Sequence, residues 1–306
     1  MNAFKVLKTL TLALLVTVAF TACDEDSDNP ITTDPEVAAP TNLEAGSADG
    51  AVFLSWTPSV DESEDNFGTY SISILNLSTN QTLPTPITVG KGVNSVRIDG
   101  LSNGIQYAFT VRSVTDLGNE STDFAMIEWS PAVRNDLDAD NNLIRVYATT
   151  STSFNSAIDL YNDAGMSEVI PQSGTEFTER GDLFVFASSS SSTLSLRSPA
   201  EANNQGLETQ FSNASPVDID DLDDQLASDP PADGSYTLKE ITLDNGTVTA
   251  GRVYWGRLVR GSDYFYFRLL LKKGSNGRLV QGSGNDRYVE MVVSFQNAPN
   301  NPFAKR

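Results

Sequence analysis

Histidine is absent from all 306 residues, and cysteine occurs once. Imidazole is the usual general base at neutral pH and the commonest zinc or haem ligand, so a Ser-His-Asp or Cys-His enzyme is excluded, and an imidazole-ligated haem carrier with it. A lone cysteine closes no internal disulfide. Bases are scarce as well, 20 against 40 acids for a formal charge of -20. Such a field repels polyanions, so no nucleic-acid partner is expected. Helix-forming stretches are few, and the mostly apolar run Leu10 to Phe20 is shorter than the roughly 20 residues a membrane-spanning helix needs.

What is present begins with that run. Residues 1–22 carry Lys5 and Lys8, no acid, an apolar centre and the small residues Thr21 and Ala22 directly before Cys23, which together read as a secretory signal. The tract Phe20-Thr21-Ala22-Cys23 resembles a bacterial lipobox, with phenylalanine in place of the usual leucine. The resemblance implies that Cys23 is acylated and becomes the mature N-terminus, leaving a soluble polypeptide tied to a membrane by its lipid. Asp24, Glu25, Asp26 and Asp28 follow at once, and resemble the acidic export signal of surface lipoproteins in Bacteroidota. That implies an outer-membrane anchor facing the cell exterior; a solvated charged tether is the alternative reading. Residues 23–37 are accordingly expected to be an acidic, disordered tether.

An all-β chain is expected beyond it. Between residues 38 and 133, short runs such as AVFLSWTPS, YSISILN and IQYAFTVRSVT alternate apolar and polar residues between Gly, Asn, Asp and Pro turns, the pattern of a β-sandwich. Trp56, Tyr70, Ile72, Leu101, Tyr107 and Val111 stand at the spacing of a fibronectin type III domain, which this region resembles. The resemblance implies an immunoglobulin-like sandwich with Trp56, Tyr70, Leu101 and Tyr107 in its core. It also implies a tyrosine corner at Tyr107 and a spacer or adhesive role.

Residues 134–143 (RNDLDADNNL) read as a linker, and residues 144–306 as a second all-β domain, either another sandwich or a partly open barrel. Within it, Asp218, Asp220, Asp221, Asp223 and Asp224 cluster closely enough to suit a hard cation such as calcium, although no internal glycine or closing glutamate completes a calcium loop. A solvated acidic loop is the other reading, and no further cofactor is expected. The serines at 188–192 have no base to activate them and read as a polar loop or edge strand. Period-two alternation sends Tyr264, Tyr266 and Arg268 to one face of YFYFRLLL, with Trp255 and Arg257 on a neighbouring face. Those five residues are the expected binding surface for a glycan or a protein partner, because aromatic planes supply area and arginine a planar donor fork. The expected function is therefore non-enzymatic binding at the cell surface; the alternative is a polysaccharide hydrolase using paired carboxylates.

Overall fold

The computed structural model describes residues 36–188, 193–201, 207–224, 231–243 and 245–305. The signal segment, Cys23 and almost all of the acidic tether lie outside the described residues, as do Ser189–Ser192.

Eight strands make the N-terminal sandwich: β1 (Thr41–Ala48), β2 (Ala51–Thr57), β3 (Phe67–Asn76), β4 (Gln81–Thr82), β5 (Ile87–Gly90), β6 (Ser95–Asp99), β7 (Tyr107–Thr115) and β8 (Ala125–Trp129). They form two antiparallel sheets, ordered β1-β2-β6 and β4-β3-β7-β8, with β5 added to β3. The pair Asp49-Gly50 joins β1 to β2, and Gly50 takes a positive φ of 60°, which glycine adopts without a Cβ clash. Alternate residues of both sheets face inward, so Leu54, Trp56, Tyr70, Ile72, Phe109 and Val111 share one core. Tyr70 meets Trp56 edge-on with ring centroids 5.3 Å apart. Its hydroxyl accepts from Ser59 N at 3.0 Å and donates to Glu62 Oε1 at 3.0 Å. The hydroxyl of Tyr107 accepts from Ser102 N at 3.1 Å, which closes the corner while the ring stays buried beside Leu101.

The second region contains β9 (Val133–Asn135), β10 (Ile144–Tyr147), β11 (Ala157–Asp159), β12 (Glu168–Ile170), a short helix α1 (Gly174–Arg180), β13 (Leu183–Ala187), β14 (Leu194–Arg197), β15 (Glu208–Ser212), β16 (Val217–Asp218), β17 (Tyr236–Leu238), β18 (Glu240–Leu243), β19 (Arg252–Arg260), β20 (Asp263–Leu271), β21 (Val280–Gln281) and β22 (Tyr288–Phe295). One sheet runs β12-β11-β13-β14-β18. The other runs β10-β22-β20-β19-β15-β17, with β9 and β21 on β22 and β16 on β19. Both sheets contribute to a single core, in which Ile158, Leu183, Val185 and Leu196 meet Phe267, Leu269, Val289 and Val293. This is the sandwich alternative; among the described residues no sheet closes into a barrel. Gly256 is required where β19 passes β20, since a Cβ there would lie 2.2 Å from the ring of Phe267.

Residues 134–143 are not a free linker. Arg134 and Asn135 pair with Ser294 and Val293 of β22, and the Asp138 carboxylate caps the following turn by accepting from Asp140 N and Asn142 N. The stretch is polar because it forms a sheet edge and a turn, both satisfied by main-chain hydrogen bonds.

The two sandwiches belong to one compact unit. The chain's C-terminal end returns to the first of them, where Phe303 packs on Trp129 with centroids 4.9 Å apart. The Ser47 hydroxyl lies 2.7 Å from the Ser130 carbonyl and 2.8 Å from the Phe303 carbonyl, and accepts from Trp129 Nε1 at 2.9 Å. Gln296 Nε2 donates to Pro131 O, and Asn301 Nδ2 to Gly104 O, each at 3.2 Å. These contacts fix the domains against one another.

Candidate functional site

The five residues expected to form an open ligand face do share one face of the large sheet. Register places Trp255 opposite Arg268 and Arg257 opposite Tyr266 on adjacent strands. The face is covered. Trp255 and Tyr266 are each 3% exposed and Arg268 1%, and the two aromatic residues pack with Ala132, Leu222, Tyr236, Val253, Leu270 and Val292 in a separate core. Arg268 Nη2 donates to Ser47 O of the first sandwich at 2.9 Å and to Ser294 Oγ at 3.2 Å. Burial lowers its guanidinium to about 10. Tyr266 donates to Asp233 Oδ1 at 2.9 Å. Arg257 bonds Gln210 Oε1 at 2.8 Å and stacks over the half-buried Tyr264 at 4.0 Å. The aromatic and basic strip is thus largely the floor of an internal interface, not a docking surface.

The aspartates expected to hold calcium are divided among partners within the protein. Asp218 pairs with Arg252 at 2.8 Å, Asp220 accepts from Gly251 N at 2.9 Å, and Asp221 and Asp223 meet Arg134 at 3.1 and 2.8 Å. Among the described residues no three metal-ligating side chains converge. The Asp224 side chain lies outside the described set.

A different site opens at one end of the second sandwich. Its cavity, about 660 Å³, is lined by Asp159, Tyr161, Asn162, Asp163, Glu168, Glu179, Arg180, Asp182, Arg260, Phe265 and Phe295, with Ala164 at its rim. That volume lies within the range typical of small-molecule sites, roughly 300–1,000 Å³. Strand ends and turns bring these residues together: Asp159 ends β11, Glu168 begins β12, Arg180 ends α1, Asp182 immediately precedes β13, and Arg260 and Phe265 flank the β19–β20 turn. Asn162 shapes the intervening loop, its Oδ1 accepting from Ala164 N at 2.9 Å and Met166 N at 3.1 Å.

Three rings form one wall in a near-parallel row. Tyr161 and Phe295 have centroids 4.9 Å apart at 9°, and Phe265 and Phe295 6.3 Å apart at 10°. Charged groups make up much of the remaining lining. Arg180 holds Glu168 through two bonds of 2.7 and 2.9 Å, meets Asp159 at 3.2 Å, and also bonds Glu176. Asp182, 3% exposed, accepts from Leu160 N at 2.8 Å and pairs with Arg260. Burial pushes the Asp182 carboxyl up to about 7; Arg260 opposes that rise and the neighbouring Asp159 adds to it. Asp159 is raised by burial too, against the pull of Arg180. Glu168 is lowered by its bonds from Arg180 and Asn162.

None of these residues stands out in the sequence. The available signal was the position of Asp159 and Asp182 beside apolar strand residues, in SAIDLYN and RGDLFVF. A carboxylate so placed needs a partner.

A fibronectin type III family model matches residues 38–127, so the N-terminal sandwich is a fibronectin type III domain, of a family that generally supplies adhesive or spacer modules. Similar solved structures include the fn3 domain of human collagen alpha-1(XX) chain, 16% identical, covering 33% of this chain and 90% of that one, TM-score 0.27. The third fibronectin III domain of human KIAA0343 protein is 17% identical, with 35% and 93% covered and a TM-score of 0.29. The spore cortex lytic enzyme SleM of Clostridium perfringens is 18% identical, with 33% and 31% covered and a TM-score of 0.26. No curated protein matches the chain.

Proposed function

We propose that this chain is a lipid-anchored, non-catalytic surface protein that binds a glycan or protein partner in the cavity of its second sandwich, with the fibronectin type III domain as a fixed spacer. The observation that carries the reading is the cavity itself, whose lining combines a row of three rings with hydrogen-bonding side chains. Aromatic area with a few convergent polar groups is the usual composition of a recognition site. The anchor rests on Cys23 at the end of the apolar run, and surface display on the acids that follow it.

A hydrolase is the second reading, favoured by one observation: Asp182, with its carboxyl near 7, is the kind of group that can act as a general acid. Against it, Asp159 and Asp182 are both held by arginines and by main-chain amides.

Ala164→Trp tests the cavity. The residue is exposed on the rim, so a large ring there fills the space without disturbing the core. Binding of a ligand found on a glycan and peptide panel should be lost in this variant with melting unchanged; unaltered binding of every such ligand overturns the cavity assignment. Turnover of a panel glycan that disappears in Asp182→Asn would establish the hydrolase instead. For the anchor, Cys23→Ala should release the protein from the membrane fraction, and wild-type protein without acyl chains at its mature N-terminus would refute lipidation. Surface display fails if protease added to intact cells leaves both domains uncut.

A further inference from the structure

We infer that the cavity selects an organic cation, a ligand presenting an ammonium or guanidinium group on a short carbon chain. The inference rests on the proposal that the cavity is the binding site, and adds the ligand's charge class.

Charge around the cavity is unbalanced. Five carboxylates line it, those of Asp159, Asp163, Glu168, Glu179 and Asp182, against the guanidiniums of Arg180 and Arg260. Both arginines are already engaged: Arg180 serves Asp159, Glu168 and Glu176, and Arg260 serves Asp182. Neither is left to receive an anion. An anionic ligand would have to break an existing pair and then face the surplus of like charge, while a neutral sugar would gain nothing from that surplus. Asp163 and Glu179 are exposed and pair with no cation among the described residues. They stand at the opening, where they raise the local concentration of an approaching cation.

The row of rings makes the same choice independently. Aromatic faces attract ammonium and guanidinium groups through the ring quadrupole, an interaction that strengthens as water is excluded. The chain already uses this contact in its own fold, with Arg197 over Phe186 at 3.6 Å and Arg257 over Tyr264 at 4.0 Å. In the cavity, no guanidinium stacks over Tyr161, Phe265 or Phe295 among the described residues; Phe295 is 3% exposed and stacked against the other two, so the partly exposed Tyr161 and Phe265 are the rings a ligand would meet. The apolar stem of the ligand would lie along the rings, and its charged head would meet the acids.

Calorimetric titration of the mature chain tests the inference with spermidine, a capped Gly-Lys-Gly peptide and, as a neutral comparator, a glucose trisaccharide. Saturable binding of at least one cation is expected, falling more than tenfold in the double variant Asp163→Lys with Glu179→Lys and weakening as salt is added. Preference for spermidine or for the peptide then assigns the source of the cation. If the double variant melts differently from wild type, the milder Glu179→Gln takes its place, with a smaller loss in the same direction expected. Binding of the trisaccharide in preference to either cation, abolished by Ala164→Trp, overturns the inference and leaves the cavity assignment standing. Cation binding that ignores both rim charges and Ala164→Trp overturns the inference, because the cation then sits elsewhere. If none of the three binds, the inference falls, and the cavity assignment is judged by the wider panel alone.

Discussion

Asp182→Asn removes one charge from the cavity wall while leaving an oxygen to accept from Leu160 N. In the wild-type chain, burial raises the Asp182 carboxyl from its ordinary 3.8 to about 7. Between those values the folded chain holds a proton that the unfolded chain has released. Stability contributed by this group is therefore greatest below about pH 4, declines as pH rises toward 7, and is level beyond. Three units at about 1.36 kcal/mol each give roughly 4 kcal/mol across the window. Asparagine does not titrate, so the unfolding free energy of wild type minus that of Asp182→Asn should be larger by roughly 4 kcal/mol at about pH 4 than at about pH 8. Asp159 remains in both proteins, and its own upward shift, caused chiefly by burial, largely cancels in the difference. Absolute stability at one pH is a poor readout, because asparagine also alters the hydrogen bonds made with Leu160 N and Arg260; the change of the difference with pH isolates the titration of Asp182, in which the Arg260 pair opposes burial. Urea unfolding at several pH values between those limits measures it. Parallel curves for the two proteins would refute the burial argument, and a difference of opposite sign would mean that the Arg260 pair outweighs desolvation.

Two further substitutions probe the framework. Arg268→Met keeps most of the volume and removes a buried cation whose lowering from 12.5 to about 10 corresponds to roughly 3 kcal/mol of desolvation; the lost bonds to Ser47 O and Ser294 Oγ offset part of that gain, so the melting midpoint should stay near wild type or rise, and a loss of more than about 3 kcal/mol would show that the charge holds the interface together. Trp56→Ala in the full chain removes a core aromatic and its edge contact with Tyr70, at a cost of about 3–5 kcal/mol, and protease resistance of the first sandwich that matches wild type would contradict its place in the core.

The fold was legible wherever the pattern is local. Alternation in YFYFRLLL assigns Tyr264, Tyr266 and Arg268 to one face and Phe265, Phe267 and Leu269 to the other, and the strands obey it. What alternation cannot say is what lies over a face. Here the cover over Arg268 comes from Ser47, 221 positions earlier in the chain, and its neighbours Trp255 and Tyr266 pack against Leu222 and against Tyr236 of β17. Residues 134–143 misled for a related reason. Strand pairing is made by main-chain groups, so Arg134 and Asn135 can complete a sheet edge without the apolar side chains that advertise a strand.

The candidate site was legible in composition but not in place. A chain with twice as many acids as bases must share each arginine among several carboxylates once some of those acids are partly buried, and the structure shows this directly: Arg134 serves Asp136, Asp221 and Asp223, and Arg180 serves Asp159, Glu168 and Glu176. Such sharing leaves negative charge over wherever the arginines run short. At the acidic stretch 218–223 the fold supplies enough partners, so that Arg252, Arg134 and the Gly251 amide divide the aspartates among them. At the cavity it does not, and the shortfall coincides with the row of rings. The sequence cluster that looked most like a cation site is thus satisfied internally. Acids scattered over separate elements, from Asp159 to Asp182, converge beside aromatic surface, and the proposed cation would supply the charge that Arg180 and Arg260 do not.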